Sequence, residues 1–265
     1  GALAPPYPDL AIAAGRRAAP ALARLARQGV RRVQILNAGL ARRSADLRVV
    51  PEHDRLRGEG VVTTLGAIGR VTVERIRAEA AIWRPRLAGL RGRRLAVLVG
   101  GPGPMAGWAE EDGQLLAEDL ATLAETGWSL LITLSRRTPQ PVAERLARVL
   151  DPGRHLLYRG TGENPYPGIL GLAEAALVTE DSVNMASEAA SAGLPIHIFP
   201  VARPTAKCRR FHDALALRGI ARPFEGRIES WRYPALAEGD RVAEIVLARL
   251  FAGRLPSQTT SQNRP

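Results

Sequence analysis

The sequence predicts an α/β protein with two domains, each built around a mostly parallel sheet. Short apolar runs alternate with longer amphipathic runs from Pro8 onward, which is typical of consecutive βα units. A segment rich in arginine, proline and glycine at residues 84–94 interrupts this alternation and indicates a connection between domains. The chain of 265 residues is long enough for two cores, because one domain takes ~100–200 residues.

The first domain is predicted over residues 1–88. Apolar runs of strand length lie at residues 9–13, 30–36, 46–50 and 61–65, and helical periodicity covers residues 17–27 and 72–83. Leu22, Leu25 and Ala26 share one face of the first helix, and Thr72 is the predicted cap of the second.

The second domain is predicted over residues 89–253, and a disordered polar tail over residues 254–265. The strands of this domain are predicted at residues 95–99, 128–134, 155–158, 175–179 and 195–199. Its helices are predicted at residues 110–125, 141–150, 166–173, 183–192, 207–218 and 240–251. Both domains are therefore expected to be Rossmann-like.

Composition narrows the classes of function. The chain carries a formal net charge of +11, but every cation except Lys207 is arginine and alanine is abundant, which favours biased codon usage over a selected basic face. The arginines are not interleaved with aromatic residues, so nucleic acid is a minority interpretation. The single Cys208 favours a reducing compartment, and the four histidines are too scattered to favour a structural metal. No apolar run is long enough to span a bilayer. The first residues lack the basic-then-apolar layout of a secretory signal and do not start with methionine, so we expect the sequence to begin inside a longer gene product.

Two loops that follow predicted strands have the composition of phosphate sites. Ligands of parallel sheets gather at the carboxyl ends of the strands. Gly100 and Gly101 follow the strand at 95–99, and their missing side chains would let backbone amides approach a phosphate, although a glycine-rich turn explains them equally well. The strand at 128–134 is followed by two arginines flanked by hydroxyls, which suit a diphosphate unless they cap helices or face water: Ser135, Arg136, Arg137 and Thr138.

Two further segments suit the nucleoside of such a ligand. Asn164 offers a donor and an acceptor to a base or ribose, and Tyr166 offers a ring for stacking; a capped turn with a buried tyrosine is the alternative. After the strand at 175–179, a capped helix presents small residues, hydroxyls and one carboxylate: Asp181, Ser182, Met185, Ser187 and Glu188. Glu188 is expected to accept both hydroxyls of a ribose, whereas an ordinary capped helix with one solvated glutamate is the alternative.

Taken as an ordered set, these strings resemble a known family. The set comprises Pro-Glu-His-Asp (51–54), Thr-Leu-Gly-Ala (64–67), Gly-Gly (100–101), Ser-Arg-Arg-Thr-Pro (135–139), Asn-Pro-Tyr (164–166), Thr-Glu-Asp-Ser-Val-Asn-Met (179–185) and Ser-Glu-Ala (187–189). It is similar to the mitochondrial-fission, elongated-mitochondria family of plants and its bacterial relatives, over residues 9–250. The arginine- and alanine-rich composition favours a bacterial member.

The resemblance implies a GT-B-like fold, in which two Rossmann-like domains flank a cleft. Plant members are associated with recruiting a dynamin-like GTPase to mitochondria, and bacterial members are described as handling nucleoside-diphosphate sugars. Residues 181–195 are also similar to the donor-binding helix of the undecaprenyl-peptidoglycan glycosyltransferase group. Family members usually begin with another strand and a loop carrying Asp-Gly and Gly-His elements, which this chain does not begin with, so we expect a truncated N-terminal domain.

The leading hypothesis is therefore a metal-independent glycosyltransferase that takes a nucleotide-diphosphate sugar as donor substrate and needs no cofactor. The arginines and the helix at Ser182 would neutralise the leaving diphosphate. The clustered candidates for a base in the first domain are Glu52, His53 and Asp54, although a capped turn explains that loop more simply. We expect a cytoplasmic protein that visits the inner face of an anionic membrane to meet a lipid-linked acceptor. The alternatives are a noncatalytic adaptor at a membrane surface, and a sugar-nucleotide epimerase or hydrolase.

Overall fold

The computed structural model describes residues 4–37, 39 and 45–252. These residues divide into two compact units. The flanking unit contains the chain up to Thr64 together with the chain from Glu238 onward, and the central unit is Leu65–Ala237. The predicted tail at residues 254–265 lies outside the described residues.

The flanking unit contains a parallel sheet whose described strands follow one another in chain order. The strands are β1 (Leu10–Ala14), β2 (Arg31–Ile35), β3 (Leu47–Pro51) and β4 (Val61–Thr64). Helix α1 (Ala19–Leu25) follows β1, and its predicted apolar positions Leu22 and Leu25 are buried. A 3-10 turn, Glu52–Asp54, follows β3 directly.

The central unit is a doubly wound parallel sheet. Its strands are β5 (Arg93–Val99), β7 (Trp128–Leu134), β8 (Leu156–Tyr158), β9 (Ala175–Thr179), β10 (Ile196–Phe199) and β12 (Ala221–Pro223), and they lie in the order β12-β10-β9-β5-β7-β8. All their described pairings are parallel. The order reverses between β5 and β9, and ligands of open α/β sheets bind at such a reversal. Two short strands, β6 (Ala106–Gly107) and β11 (Arg203–Pro204), form a separate antiparallel pair.

Helices cover both faces of this sheet. They are α2 (Val73–Arg86), α3 (Glu110–Glu125), α4 (Gln140–Val149), α5 (Tyr166–Leu172), α6 (Val183–Ser191) and α7 (Ala206–Leu217). Alternate residues of β5 face opposite sides, since a strand has a period of two: Ala96 and Leu98 pack with α2, α5, α6 and α7, whereas Leu95 and Val97 pack with α3 and α4. Both faces are therefore core, which explains the continuous apolar strands.

The two units differ from the predicted domains in where they begin and end. Helix α2 was predicted to belong to the first domain, but it packs against α5 in the central unit. Helix α8 (Glu238–Leu250) was predicted to close the second domain, but it belongs to the flanking unit, where Arg241 donates to the carbonyl of Thr63 at 2.5 Å. The predicted connection at residues 84–94 is also structured at both ends, because α2 continues to Arg86 and β5 begins at Arg93.

Candidate functional site

The candidate site lies in the central unit where the strand order reverses. The residues after β5 and after β9 meet there. Asp181 is only 2% exposed; its Oδ2 accepts the Gly101 amide at 2.8 Å and its Oδ1 accepts the Trp108 indole at 3.0 Å. The Gly100 amide donates to the Thr179 hydroxyl at 2.8 Å. Two predicted segments, the glycine loop and the start of α6, are therefore joined by direct hydrogen bonds.

The glycines of this loop leave room for neighbouring atoms of the protein, because they have no side chains. A Cβ atom on Gly100 would overlap the Asp181 carboxylate, and one on Gly101 would overlap the carbonyl of Arg137. A Cβ atom on Gly103 would overlap the Arg137 guanidinium. The sequence suggested that the missing side chains would let the amides reach a phosphate, but in this structure the amides of Gly100 and Gly101 already bond to Thr179 and Asp181.

The hydroxyls of the second loop hold that loop in shape. The Ser135 amide donates to the Thr138 hydroxyl at 2.9 Å, and the Arg137 amide donates to the Ser135 hydroxyl at 3.1 Å. The Thr138 hydroxyl in turn donates to the carbonyl of Gly100 at 2.5 Å. Ser135 and Thr138 thus fix the backbone that carries the arginines, which is a supporting role and differs from the direct ligand contact that the sequence suggested.

The two arginines of this loop are exposed. The guanidinium of Arg137 lies 3.6 Å from Asp181 Oδ2, and its side chain keeps 44% of its surface exposed. Burial raises the pKa of Asp181, whereas the donors Gly101, Thr179 and Trp108 and the charge of Arg137 lower it. The Asp181 carboxylate therefore holds Arg137 beside the start of α6. The Arg137 guanidinium stays partly exposed, so an anion can reach it.

Helix α6 begins as the sequence predicted. The Ser182 hydroxyl accepts the Met185 amide at 3.4 Å and caps the helix. The Ser187 hydroxyl donates to the carbonyl of Val183 at 2.7 Å and accepts the amide of Ala67 at 2.9 Å. Ser187 therefore binds the segment that precedes α2, so its hydroxyl is engaged within the protein.

Glu188 lies on α6 and bonds to Tyr166 at the start of α5. The Tyr166 hydroxyl donates to Glu188 Oε2 at 2.6 Å, and Asn164 Oδ1 accepts the Tyr166 amide at 3.0 Å. Burial raises the pKa of Glu188, and the bond from Tyr166 and the charge of Arg75 lower it. Burial and the neighbouring Glu188 carboxylate raise the pKa of Tyr166 well above its ordinary value. Residues 164–166 thus form a turn in which Asn164 caps the Tyr166 amide and the tyrosine is half-buried.

The structure therefore gathers most of the predicted binding residues into two groups, whereas no contact within the described part of the chain places Arg136 in either of them. The first group surrounds Asp181 and contains Gly100, Gly101, Ser135, Arg137 and Thr138. The second group contains Tyr166, Ser187 and Glu188 with the backbone of Ala67. Helix α6 connects the groups, since Asp181 and Ser182 precede it and Glu188 lies on it.

The candidate bases lie in the flanking unit. Glu52, His53 and Asp54 form the 3-10 turn after β3, and His53 is 5% exposed. In the same unit, the pKa of Arg241 is raised chiefly by its hydrogen bonds to Glu238, with a further contribution from the charge of Glu52. The triplet thus lies at the carboxyl end of a parallel strand, where side chains can act on ligands.

Three contributors to the site were not singled out from the sequence. Thr179 and Trp108 bond to the glycine loop and to Asp181, and residues 66–69 run beside Ser187 and Glu188. Thr179 and residues 66 and 67 belong to the strings that carry the family resemblance, but the strings did not show what these residues contact. Trp108 gave no signal, because its partner Asp181 lies 73 residues away along the chain.

A separate cleft of about 240 Å³ lies beside α7 and β12. Its lining includes Glu180, Arg209, His212, Asp213, Arg222 and Phe224, and it contains none of the predicted binding residues. Among the described residues, no group of three or more His, Cys, Asp or Glu side chains could hold a metal ion. In the same part of the chain, no helix has the length and apolar character needed to cross a membrane.

Solved structures of low sequence identity share the fold. UDP-GlcNAc 2-epimerase from Methanocaldococcus jannaschii aligns with a TM-score of 0.54 at 10% identity, covering 90% of this chain and 77% of that one. UDP-GlcNAc 2-epimerase from Neisseria meningitidis, solved bound to UDP-GlcNAc, aligns with a TM-score of 0.51 at 15% identity, covering 83% and 64%. UGT73P12 of Glycyrrhiza uralensis aligns with a TM-score of 0.52 at 12% identity, covering 93% and 66%. The predicted GT-B-like α/β fold is confirmed.

Two further proteins share more sequence identity with this chain than these structures do. The mitochondrial fission protein ELM1 of Arabidopsis thaliana is 31% identical over 196 residues, which are 72% of this chain and 46% of that protein. The uncharacterized protein RP120 of Rickettsia prowazekii is 29% identical over 209 residues, which are 74% of this chain and 57% of that protein. This chain thus spans about half the length of these two relatives. The model of the family described as mitochondrial fission ELM1 matches residues 1–250, so the chain belongs to that family.

Proposed function

We propose that the central unit binds a nucleoside-diphosphate sugar, and that the protein is a metal-independent glycosyltransferase acting on a cell-envelope or lipid-linked acceptor. One observation carries the proposal. Arg137 is held by the buried Asp181 beside the start of α6, where the strand order reverses. A half-exposed guanidinium next to a helix N-terminus favours a diphosphate, because both present positive charge to the same anion.

The chemistry follows from charge on the leaving group. When the sugar leaves its nucleotide, negative charge develops on the diphosphate, and Arg136, Arg137 and the amides at the start of α6 would stabilise it in place of a metal. Glu188 would accept the ribose hydroxyls. Glu52, His53 or Asp54 would supply the base that activates the acceptor hydroxyl. The protein would visit the inner face of an anionic membrane, where a lipid-linked acceptor would be found; flotation with acidic and neutral vesicles tests this.

Calorimetry with UDP, GDP, ADP and CDP tests donor binding. We expect one of them to bind, and the double variant Arg136→Ala, Arg137→Ala to lose about tenfold or more in affinity, since hydrogen bonds to charged groups contribute about 1.5–3 kcal/mol. The double variant Arg145→Ala, Arg148→Ala is the matched control, because it removes the same charge from α4. If the parent protein binds none of the four nucleotides, the donor site does not exist.

A noncatalytic adaptor is the second candidate, and two observations favour it. The Arabidopsis relative is named for mitochondrial fission. In addition, Ser135, Thr138 and Asp181 make contacts within the protein, which a fold retained without catalysis would also need. Glu188→Gln separates the candidates: a transferase loses nucleotide binding and its cellular phenotype together, whereas an adaptor keeps the phenotype.

A sugar-nucleotide epimerase or hydrolase is the third candidate, because the neighbours from Methanocaldococcus and Neisseria are UDP-GlcNAc 2-epimerases. Such an enzyme needs no acceptor. Product analysis with and without a lipid extract distinguishes it, since a transferase forms product only when the extract is present.

A further inference from the structure

Tyr166 and Glu188 form a half-buried pair that connects two helices of the central unit. Tyr166 is the first residue of α5, and its hydroxyl donates to Glu188 Oε2 on α6 at 2.6 Å. This bond fixes one carboxylate oxygen and therefore the orientation of the other. The sequence suggested a tyrosine ring that stacks on a base, but in this structure the tyrosine hydroxyl is engaged with the carboxylate.

The second carboxylate oxygen, Oε1, lies near Gly69. Oε1 lies 3.3 Å from the position that a Cβ atom on Gly69 would occupy. Residues 66–69 are held in this place by the bond from the Ala67 amide to the Ser187 hydroxyl at 2.9 Å. The absent side chain of Gly69 thus leaves space next to Oε1, where any larger residue would press on it.

Tyr166 and Arg75 favour the ionised form of Glu188 against the effect of burial, and the Tyr166 phenol stays protonated. Burial raises the pKa of Glu188, and this effect is opposed by the hydrogen bond from Tyr166 on α5 and by the charge of Arg75 on α2. Burial and the Glu188 charge raise the pKa of Tyr166, so the phenol keeps its proton at neutral pH. Tyr166 therefore remains a hydrogen-bond donor, and Glu188 depends on it for part of its stabilisation as a carboxylate.

We propose that Tyr166 is the positioning residue for Glu188: its hydroxyl occupies Oε2 and presents Oε1, beside Gly69, to the 2′ and 3′ hydroxyls of a ribonucleoside diphosphate. This inference rests on the proposed donor site and adds a specificity to it. A carboxylate oxygen held in one orientation accepts two vicinal hydroxyls, whereas a 2′-deoxyribose supplies only one. The site therefore selects ribonucleotides over 2′-deoxyribonucleotides.

The test measures nucleotide affinity by calorimetry from pH 5.0 to 8.5, using whichever of UDP, GDP, ADP and CDP binds most tightly. Binding requires ionised Glu188, so affinity falls as pH falls through the pKa of that carboxyl. Removing the Tyr166 donor raises this pKa. Tyr166→Phe is therefore expected to move the fall in affinity to higher pH and to weaken binding at pH 7.5 by about tenfold, the effect of losing one hydrogen bond to a charged group.

Tyr233→Phe is the matched control, because it also removes a half-buried phenol, one that donates to the carbonyl of Leu194 at 2.5 Å. It should leave the pH profile unchanged. Gly69→Ala should weaken binding at every pH without moving the midpoint, since it crowds Oε1 and leaves the Tyr166 bond in place. A Tyr166→Phe profile that coincides with the parent profile overturns the inference while donor binding stands.

The parent protein alone supplies a second test, which does not depend on how any variant folds. Its affinity for the chosen nucleotide is compared with its affinity for the 2′-deoxy form of that nucleotide. We expect the deoxy form to bind about tenfold more weakly, because a hydrogen bond to a charged acceptor is lost. Equal affinities overturn the proposed presentation of Oε1. No binding of either form refutes the donor site itself.

Discussion

Asp181, which the sequence predicts as a binding residue, holds the surrounding loops together in this structure. Its carboxylate is buried and accepts hydrogen bonds from the Gly101 amide and the Trp108 indole. A buried carboxylate must be paired, because desolvation without partners is costly. Arg137 supplies the opposite charge from a half-exposed position. One residue therefore ties together the loops after β5, β7 and β9.

Substitutions of Asp181 and of Arg137 distinguish the contribution of the Asp181 hydrogen bonds to stability from that of the ion pair. Asp181→Ala leaves the Gly101 amide and the Trp108 indole without their acceptors, so we expect unfolding free energy to fall by about 1.5–3 kcal/mol. Arg137→Ala removes an exposed partner and should cost about 0–1 kcal/mol. Urea denaturation measures both. Equal losses for the two variants would mean that the ion pair dominates over the backbone bonds.

At the level of elements, α2 shows packing overriding local sequence signals. Pro85 was expected to lie in a connection, yet α2 continues to Arg86. The buried side chains of Ile76, Ala80 and Trp83 pack on α5, where Gly168 and Gly171 leave room for them. A glycine 85 residues away along the chain thus determines where the helix fits, and no local pattern reports that.

The close approach of α2 and α5 predicts that a side chain at position 168 destabilises the protein. A Cβ atom on Gly168 would lie 2.6 Å from the Trp83 ring. Gly168→Ala is therefore expected to lower the unfolding free energy by about 1–3 kcal/mol through overpacking. Gly89→Ala is the control, because the space at that position is open. Thermal denaturation of both variants measures the difference, and a Gly168→Ala protein as stable as the control would contradict this packing.

For the whole molecule, buried histidines make stability depend on pH. Burial lowers the pKa of His155, His197 and His212. His155 Nδ1 accepts the Leu130 amide at 3.1 Å, so a proton on that nitrogen would break the bond. A group whose pKa is lower in the folded state binds its proton more tightly in the unfolded chain. Protonation of such a group therefore favours unfolding.

The unfolding free energy should therefore fall as pH falls below the ordinary histidine pKa of about 6.5. Buried carboxyls with raised pKa values, such as Glu180 and Glu188, act in the opposite direction, because they favour the folded state when protonated. His155→Asn keeps an acceptor for the Leu130 amide but cannot take up a proton. Chemical denaturation between pH 7.5 and 5.5 should show a smaller loss of stability for this variant. If the unfolding free energy falls equally with pH in both proteins, protonation of His155 does not contribute to the loss of stability.

The amino-acid sequence by itself determined the alternating α/β pattern and the ends of its most regular elements. The bounds of α3, β7 and β9 agree with the prediction, because apolar periodicity and flanking turns are local properties of the chain. A capped start of α6 at Asp181 or Ser182 was also predicted, and Ser182 is the cap, since a capping hydroxyl acts within one turn.

Only the tertiary structure decided what the polar residues contact. It placed α2 and α8 in units other than those predicted, engaged the amides of Gly100 and Gly101 with protein acceptors, and paired Tyr166 with Glu188. These outcomes depend on contacts between residues that are distant along the chain. Each polar group bonds to the partner that folding brings within hydrogen-bond distance. A sequence pattern identifies the polar group, but it does not identify a partner that is distant along the chain.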